Sequence, residues 1–363
     1  MNNEIKKVLK KIINKGYVGY IVGGYIRDFL LGNESYDIDI ATSAKPNELL
    51  ELFPEASNHN YGGVSFKIGS YSFDITTFRK EISYENRRPL EFEYIDSMEL
   101  DYVRRDFTIN SLYMDIDGKI YDFCNGQEDI KNKKIKLIGN IKDRIVEDPL
   151  RILRAIRFKT LLSFDIDPEL VTFIKQNKGL LSTLSYTRRK EELDYIINSN
   201  NRIEGLKYIK ELGLEDVLEI TIPEDIKDSC FPLTIWSELD AKKYPFTKNE
   251  INEINNIKKI CEYGIIDNTI LYKYGLYTCQ LACDLLSIDR SYVSELYKNL
   301  PIYSSKDIDI RIDDILILLN IKPGRIIKDI IADLEIKILD NELKNDKKEI
   351  IKYIENNWRW YRE

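Results

Sequence analysis

Residues 20–42 read YIVGGYIRDFLLGNESYDIDIAT, and this stretch decides how the N-terminal part of the chain is interpreted. The apolar run at 20–22 predicts a strand that ends at Gly23 and Gly24, and a helix pattern follows at 25–31. Glycines at such a turn let the backbone approach a ligand closely, and amides at the start of the helix suit a phosphate, with Arg27 one turn further on. On its own, this pattern is also common in strand-to-helix turns without a ligand.

Paired carboxylates follow on the next predicted strand, Asp37 and Asp39 in YDIDIAT. Residues two apart on a strand point to one face, so the two carboxylates converge while Ile38 and Ile40 face the core. Adjacent carboxylates repel each other unless a cation lies between them, and hard oxygen ligands suit Mg²⁺. An edge strand with two solvated aspartates is the alternative interpretation.

The order of these motifs favours a catalytic interpretation. The glycine turn and the paired carboxylates are followed by Asp74 in SFDIT, a candidate third catalytic carboxylate. This order is typical of nucleotidyl transfer, in which metal ions activate a 3′-hydroxyl and neutralise the pyrophosphate leaving group. That chemistry needs no histidine, and the single histidine of the chain, His59, excludes sites built from several imidazoles.

Two arginine-containing motifs complete the candidate site. In RRDFTIN, Arg105 can hold phosphate or ribose oxygens and Asp106 can orient an arginine or a sugar hydroxyl. In EDPLRILRAIRF at 147–158, Asp148 is a predicted N-cap and Pro149 the first helical residue. The arginines of this helix are spaced by three and form a drifting stripe, Arg151, Arg154 and Arg157. A surface ion-pair cluster and a solvated arginine face are the alternatives.

Asp148 and Arg151 have the chemistry to read a base. A carboxylate accepts from the exocyclic amine of C or A, and a guanidinium donates to the neighbouring ring nitrogen or carbonyl. U and G present the opposite groups at both positions, so both contacts fail. A pair of this kind one helical turn apart can select C and A without a template.

Composition limits the other possibilities. Lys and Arg total 54 against 61 Asp and Glu, a net charge of −7 that taken alone argues against nucleic-acid binding. However, residues 131–160 contain ten Lys and Arg against three acids. Five cysteines without a CxxC pair indicate neither a disulfide framework nor a zinc site. No stretch reaches the roughly 18 apolar residues of a membrane span, so a cytoplasmic location and no membrane partner are expected.

The secondary-structure patterns divide the chain. Strand patterns alternate with helix patterns at 2–14, 25–31 and 45–53 over about the first 140 residues, which predicts an α/β or α+β domain around a small mixed sheet. From Asp143 onward only helix-period patterns are evident.

The motifs GGYIRD, DID, FDITTFR, RRDFTIN, YDFCNGQEDI and EDPLRILRAIRF, in this order over about residues 17–200, resemble those of one family. It comprises the class II tRNA nucleotidyltransferases, or CCA-adding enzymes, and the bacterial poly(A) polymerases, within the DNA polymerase β-like superfamily. The resemblance implies an α+β fold, with a polymerase β-like head followed by an all-α neck, body and tail. The expected domains are a catalytic head at 1–139, a base-recognising neck at 140–200, and a tRNA-binding body and tail at 201–363.

The resemblance also implies roles for single residues. Asp37 and Asp39 are expected to bind Mg²⁺, and Asp74 is expected to be a third catalytic carboxylate. The implied nucleotide-binding residues are Gly23, Gly24, Arg27, Arg105, Asp106, Asp148, Arg151, Arg154 and Arg157. The expected reaction is template-independent addition of CCA to the 3′ end of tRNA from CTP and ATP, with release of pyrophosphate and no obligate protein partner.

Several alternatives remain at this point: poly(A) polymerase, an enzyme adding only A or only CC, a small-molecule nucleotidyltransferase, and a non-catalytic RNA-binding module. The segment EISYENRRPL at 81–90 resembles the flexible loop that full CCA-adding enzymes use when switching from C to A. The head lacks the basic stretch associated with poly(A) polymerases. SYTRRKEEL at 185–193 resembles the neck motif of the family, with Thr187 where Glu is usual.

Overall fold

The computed structural model describes residues 1–59, 63–85 and 88–359. Contacts between residues divide the chain into two compact units, Met1–Glu219 and Ile220–Glu363. The first contains a seven-stranded mixed sheet, and the second is helical among its described residues. The expected α+β class, with its sheet in the N-terminal part, is therefore confirmed. The boundaries expected after residues 139 and 200 stay predictions.

The strands of the first unit form one large sheet and two small ones. Their bounds are β1 (Gly19–Val22), β2 (Asp37–Thr42), β3 (Ser57–His59), β4 (Gly63–Ile68), β5 (Tyr71–Thr77), β6 (Arg79–Glu85), β7 (Arg88–Tyr94), β8 (Tyr113–Met114), β9 (Ile120–Tyr121), β10 (Lys134–Ile135) and β11 (Asp165–Ile166). The large sheet has the order β3-β4-β5-β2-β1-β8-β9, in which β2 and β5 are parallel and the other pairs antiparallel. Strands β6 and β7 form a separate hairpin, and β10 pairs with β11 in parallel.

Two sequence-based expectations need correction here. The expectation of no strands after Asp143 is wrong, because Asp165 and Ile166 form β11; a two-residue strand is too short to show an alternating pattern. The loop expected at 81–90 is largely an antiparallel hairpin, with register irregularities between Glu81 and Tyr84. Its residues 86 and 87 lie outside the described part of the chain.

The helices of the first unit alternate with the strands at first, and later in the unit they follow one another with β11 as the only strand between them among the described residues. They are α1 (Asn3–Ile13), α2 (Gly24–Leu30), α3 (Pro46–Leu52), α4 (Met98–Asp101), α5 (Gly126–Lys131), α6 (Ile141–Glu147), α7 (Leu150–Leu162), α8 (Pro168–Asn177), α9 (Tyr186–Ile197), α10 (Arg202–Glu211) and α11 (Glu215–Leu218), with 3-10 turns at Tyr102–Arg104, Thr108–Asn110 and Lys178–Thr183. Helix α7 begins directly after Pro149, and the Asp148 carboxylate accepts a hydrogen bond from the Leu150 N–H at 3.2 Å. The N-cap expected at Asp148 and the first helical residue expected at Pro149 are therefore each wrong by one residue: Pro149 is the N-cap and the helix starts at Leu150. Pro149 has no N–H to donate, so the Asp148 carboxylate binds the next N–H along the chain.

The second unit consists of helices α12 (Pro232–Glu238), α13 (Lys248–Tyr263), α14 (Asn268–Leu286), α15 (Arg290–Lys298), α16 (Ile312–Leu319), α17 (Arg325–Leu339) and α18 (Lys347–Trp358), with a 3-10 turn at Ser305–Asp307. Their apolar faces share one core, which includes Ile257, Leu271, Leu281 and Ile330. Of the helices in the described residues, none is long and apolar enough to cross a membrane.

Strand β2 fixes the position of the paired carboxylates. Ile38 and Ile40 are buried on one face of the sheet, while Asp37 and Asp39 are exposed on the other. Full burial of an isoleucine side chain contributes about 2–3 kcal/mol. A register slip of one residue would bury both carboxylates and expose both isoleucines, so the core sets which face carries the acids.

Candidate active site

A cavity of about 820 Å³ lies in the first unit, and its lining brings together motifs that are far apart in the sequence. Eleven of the twelve predicted site residues line it: Gly23, Gly24, Arg27, Asp37, Asp39, Arg105, Asp106, Asp148, Arg151, Arg154 and Arg157. Asp74 is not part of the lining. Strand β2 thus supplies Asp37 and Asp39, and α7 supplies three of the arginines, to the same cavity.

The three predicted catalytic acids lie on the same face of the sheet. Asp39 is the register partner of Asp74 on β5, and Asp37 is two residues before Asp39 on β2. Although Asp39 is accessible to solvent, the protein packed around its carboxyl still removes part of its hydration, and the charge of Arg105 only partly offsets this effect. The negative charges of Asp74 and Asp37 add to the desolvation and raise the pKa of Asp39 to about 6.

The glycine turn keeps the space around Asp39 open. Gly23 has φ 77°, in the region that favours glycine, and a Cβ there would stand 3.0 Å from Oδ2 of Asp39. Arg27 lies one turn into α2. Its Nη1 donates to Oδ1 of Asn110 at 2.7 Å, and its Nε and Nη2 donate to Oδ1 of Asp28 at 2.9 and 2.8 Å. The guanidinium is therefore oriented in advance at the cavity wall.

Arg105 is held by a buried carboxylate that sequence reasoning missed. Asp101, with no solvent exposure, accepts from Arg105 Nη2 at 3.0 Å, Tyr113 Oη at 2.7 Å, Arg104 Nε at 2.8 Å and the Arg79 N–H at 3.1 Å. Burial disfavours the charge of Asp101, but the Arg105 and Arg104 guanidiniums and the hydrogen bonds outweigh it and lower its pKa to about 2. An ionised Asp101 thus fixes the arginine pair beside the cavity.

Asp106 and Arg154 are bound to each other. Arg154 Nε donates to Oδ2 of Asp106 at 2.8 Å, and Arg154 Nη2 makes a second, short bond to the same oxygen. Burial opposes ionisation of Asp106, yet Arg154 and the Phe107 N–H lower its pKa. This ion pair connects the RRD turn, residues 104–106, directly to α7.

Arg151 is mostly buried, with its guanidinium held at one nitrogen. Nη1 donates to the main-chain carbonyl of Arg144 and, at 3.1 Å, to Oε2 of Glu147. Within the described residues, every hydrogen bond of the Arg151 side chain comes from Nη1, so Nε and Nη2 remain able to donate elsewhere. Asp148 lines the same cavity, so the structure brings the predicted base-reading pair together.

The third arginine of α7 contacts helix α9. Arg157 forms an ion pair of 3.1 Å with Glu192 and lies over the rings of Phe158 and Tyr195, each 4.7 Å from the ring centroid. Burial raises the pKa of the Glu192 carboxyl against the opposing charge of Arg157. Thr187 in the same neck motif is exposed and does not line the cavity.

The cavity also contains residues that were not predicted, including Arg79 and Glu81 from the hairpin, Arg104, Asn110, Arg188 and Tyr195. Arg79, Arg104, Asn110 and Arg188 stand inside motifs already recognised, whereas nothing in the local sequence distinguishes Tyr195. Among the described residues, eight arginines and six acids line the cavity. A chain with net charge −7 therefore presents a locally cationic surface, suited to a triphosphate.

Family models match three parts of the chain. Residues 19–136 match a poly A polymerase head domain, residues 163–222 a probable RNA- and SrmB-binding site of polymerase A, and residues 237–354 a tRNA nucleotidyltransferase domain 2.

Curated relatives match over nearly the whole chain. A CCA-adding enzyme of Staphylococcus epidermidis is 30% identical, covering 98% of this chain and 99% of that protein. A CCA-adding enzyme of Oceanobacillus iheyensis is 31% identical over 96% of this chain and 95% of that protein, and one of Lactococcus lactis subsp. cremoris is 32% identical over 95% and 94%.

Solved structures share the fold. The Bacillus stearothermophilus CCA-adding enzyme in complex with CTP has a TM-score of 0.86 at 22% identity and covers 99% of both chains. The Thermotoga maritima CCA-adding enzyme complexed with tRNA-CCA has a TM-score of 0.69 at 22% identity and covers 99% of this chain and 96% of that one. These similarities confirm the fold that the sequence motifs implied.

Proposed function

Because the chain belongs to the family of CCA-adding enzymes, we propose that it adds CCA to the 3′ end of tRNA, using CTP and ATP and releasing pyrophosphate. The observation that carries this proposal is the single cavity that joins Asp37 and Asp39 to Asp148 and Arg151. Paired carboxylates alone would fit any nucleotidyl transfer. The paired carboxylates line the same cavity as the base-reading pair at the start of α7. This arrangement supports nucleotidyl transfer in which the protein itself chooses the base.

The donor set fits a Mg²⁺ ion at Asp37 and Asp39. Among the described residues, no three His, Cys, Asp or Glu side chains are grouped so as to hold a metal by themselves. A two-carboxylate set is what Mg²⁺ commonly uses, because substrate phosphates and waters complete its coordination. Desolvation and the neighbouring carboxylates Asp74 and Asp37 raise the pKa of Asp39, so its ionised form would be stabilised by a bound cation, and the open side left by Gly23 gives an ion access. When bound, the metal supplies Lewis-acid activation of the attacking hydroxyl and charge neutralisation at the phosphates.

The arginines are proposed to bind the nucleotide. Arg27 and Arg105 are pre-oriented by Asp28, Asn110 and Asp101, so a triphosphate meets donors whose positions are already set. Oriented donors of this kind lose little entropy on binding, and they hold the α-phosphate where a 3′-hydroxyl can attack it.

Base choice is proposed to rest on Asp148 and Arg151. The carboxylate of Asp148 accepts from the amine of C or A, and Nε or Nη2 of Arg151 donates to the neighbouring acceptor. Glu147 and the Arg144 carbonyl hold the other end of the Arg151 guanidinium. With U or G, a buried donor and a carboxylate both lose their partners, at a cost of about 1–3 kcal/mol for each contact.

Poly(A) polymerase is the second candidate, since the family model over residues 19–136 carries that name. The full-length relatives named CCA-adding enzyme favour CCA addition instead. The test is to incubate the purified chain and Mg²⁺ with tRNA ending at the discriminator base. CTP alone should extend it by two nucleotides, and CTP with ATP by three. No extension with CTP would refute CCA addition, whereas a long A tail on unstructured RNA would support a poly(A) polymerase.

A further inference from the structure

Arg144 lies on α6 just before the base-reading motif, is almost fully buried, and does not line the cavity. Its Nη2 donates to the main-chain carbonyls of Arg104 at 2.8 Å and Arg105 at 2.7 Å. Its Nη1 donates to Oε2 of Glu147 at 2.5 Å. One guanidinium therefore holds the backbone of the turn that presents Arg105.

The same residue also meets the base-reading arginine. The main-chain carbonyl of Arg144 accepts from Nη1 of Arg151, and Oε2 of Glu147 accepts from both arginines. Arg151 is thus oriented by two groups, the carbonyl of Arg144 and the carboxylate that the Arg144 side chain binds. Arg144 therefore connects two parts of the site by hydrogen bonds. One is the turn that presents Arg105, and the other is the guanidinium of Arg151.

We propose that Arg144 is a positioning residue for base selection: it orients Arg151 without touching the nucleotide. This inference rests on the proposed function of Arg151. Base discrimination requires Arg151 to be placed within a few tenths of an ångström, and a planar guanidinium making bonds in fixed directions provides that placement. A lysine at this position keeps the charge but cannot bind two carbonyls and a carboxylate in the same plane.

Without the Arg144 guanidinium, the turn that contains Arg105 and Asp106 should still be attached to helix α7. The pair between Asp106 and Arg154 independently joins the RRD turn to α7, and Phe107 packs edge-on against Phe158 with ring centroids 5.5 Å apart. An Arg144→Met variant therefore keeps the cavity, while Glu147 loses the partner that holds it against Arg151. The expected defect is in the orientation of Arg151 rather than in the assembly of the site.

Arg189 offers a matched control. It is equally buried and donates to three main-chain carbonyls, those of Leu184 at 3.0 Å, Val217 at 2.9 Å and Ser182 at 3.2 Å. It does not line the cavity. Arg189→Met removes the same chemical group from a similar main-chain environment, so it reports the cost of losing a buried arginine without altering Arg151.

The experiment compares wild type, Arg144→Met, Arg144→Lys and Arg189→Met. For each, kcat/KM for addition of one nucleotide to tRNA lacking CCA is measured with CTP and with UTP, beside a thermal unfolding curve. The CTP/UTP ratio is expected to fall about tenfold in Arg144→Met, because Arg151 loses the orientation that its base contact needs, and by less in Arg144→Lys. Arg189→Met should lower the melting temperature with an unchanged ratio.

An unchanged ratio in folded Arg144→Met would overturn the inference, as would an equal fall in Arg189→Met. If Arg144→Met does not fold, Arg144→Lys decides: a ratio equal to wild type contradicts the positioning role. Failure of wild type to add C at all would refute the proposed function instead, so the two failures are distinguishable.

Discussion

Asp101→Asn perturbs the buried carboxylate beneath the site while keeping its shape. Asp101 is ionised because Arg105 and Arg104 lower its pKa from 3.8 to about 2. At about 1.36 kcal/mol per pKa unit, this shift corresponds to roughly 2 kcal/mol of unfolding free energy. Because the folded-state pKa is the lower one, that stability is present above about pH 4 and is lost as the pH falls through about 2. The neutral amide of the variant resembles the protonated acid, so the variant is expected to lose roughly this 2 kcal/mol at pH 7, because Arg104 and Arg105 lose their counter-charge.

The assay is urea unfolding of wild type and Asp101→Asn between pH 7 and pH 2.5. The difference in unfolding free energy between wild type and variant should be about 2 kcal/mol at pH 7 and should narrow as the pH falls through the acid range. Asp165→Asn is the control, because the ion pair of Asp165 with Lys159 is exposed and contributes little. Equal stability of Asp101→Asn and wild type at pH 7 would refute the role given to the buried carboxylate.

Three further changes test the site. Asp37→Ala should abolish nucleotide addition while tRNA binding in a gel-shift assay stays near wild type; retained turnover would contradict the metal-binding proposal. Gly23→Ala should cost about 1–3 kcal/mol in thermal unfolding, because φ is 77° and the new Cβ meets Asp39 at 3.0 Å, and should also lower kcat. Arg151→Ala should lower the preference for CTP over UTP by about tenfold or more, measured as a ratio of kcat/KM, and an unchanged preference would exclude its role in base reading.

Local sequence patterns were sufficient to predict those parts of the site that depend on a single strand or helix. The alternation in β2 placed Ile38 and Ile40 in the core and the two acids on the opposite face, and this is observed. The start of a helix beside Pro149 was likewise predictable to within one residue, because a carboxylate and a proline act on their immediate neighbours.

The missed features depend on contacts between distant segments. Asp101 looks like an ordinary surface acid in the sequence, and its importance arises only when Arg79 and Tyr113 are brought to it by the fold. The three arginines of α7 line one cavity, but their partners within the protein were not predicted. Arg151 binds Glu147 and Arg154 binds Asp106, because charged groups that are removed from water require partners within the protein.

The claim that the protein itself chooses each base is tested most directly by sequencing products. Purified chain, Mg²⁺ and all four nucleoside triphosphates are incubated with tRNA ending at the discriminator base, and the new 3′ ends are read. Extended molecules should end in CCA, with U and G rare at every added position. Unextended tRNA, a homopolymer tail, or frequent U and G would contradict that claim.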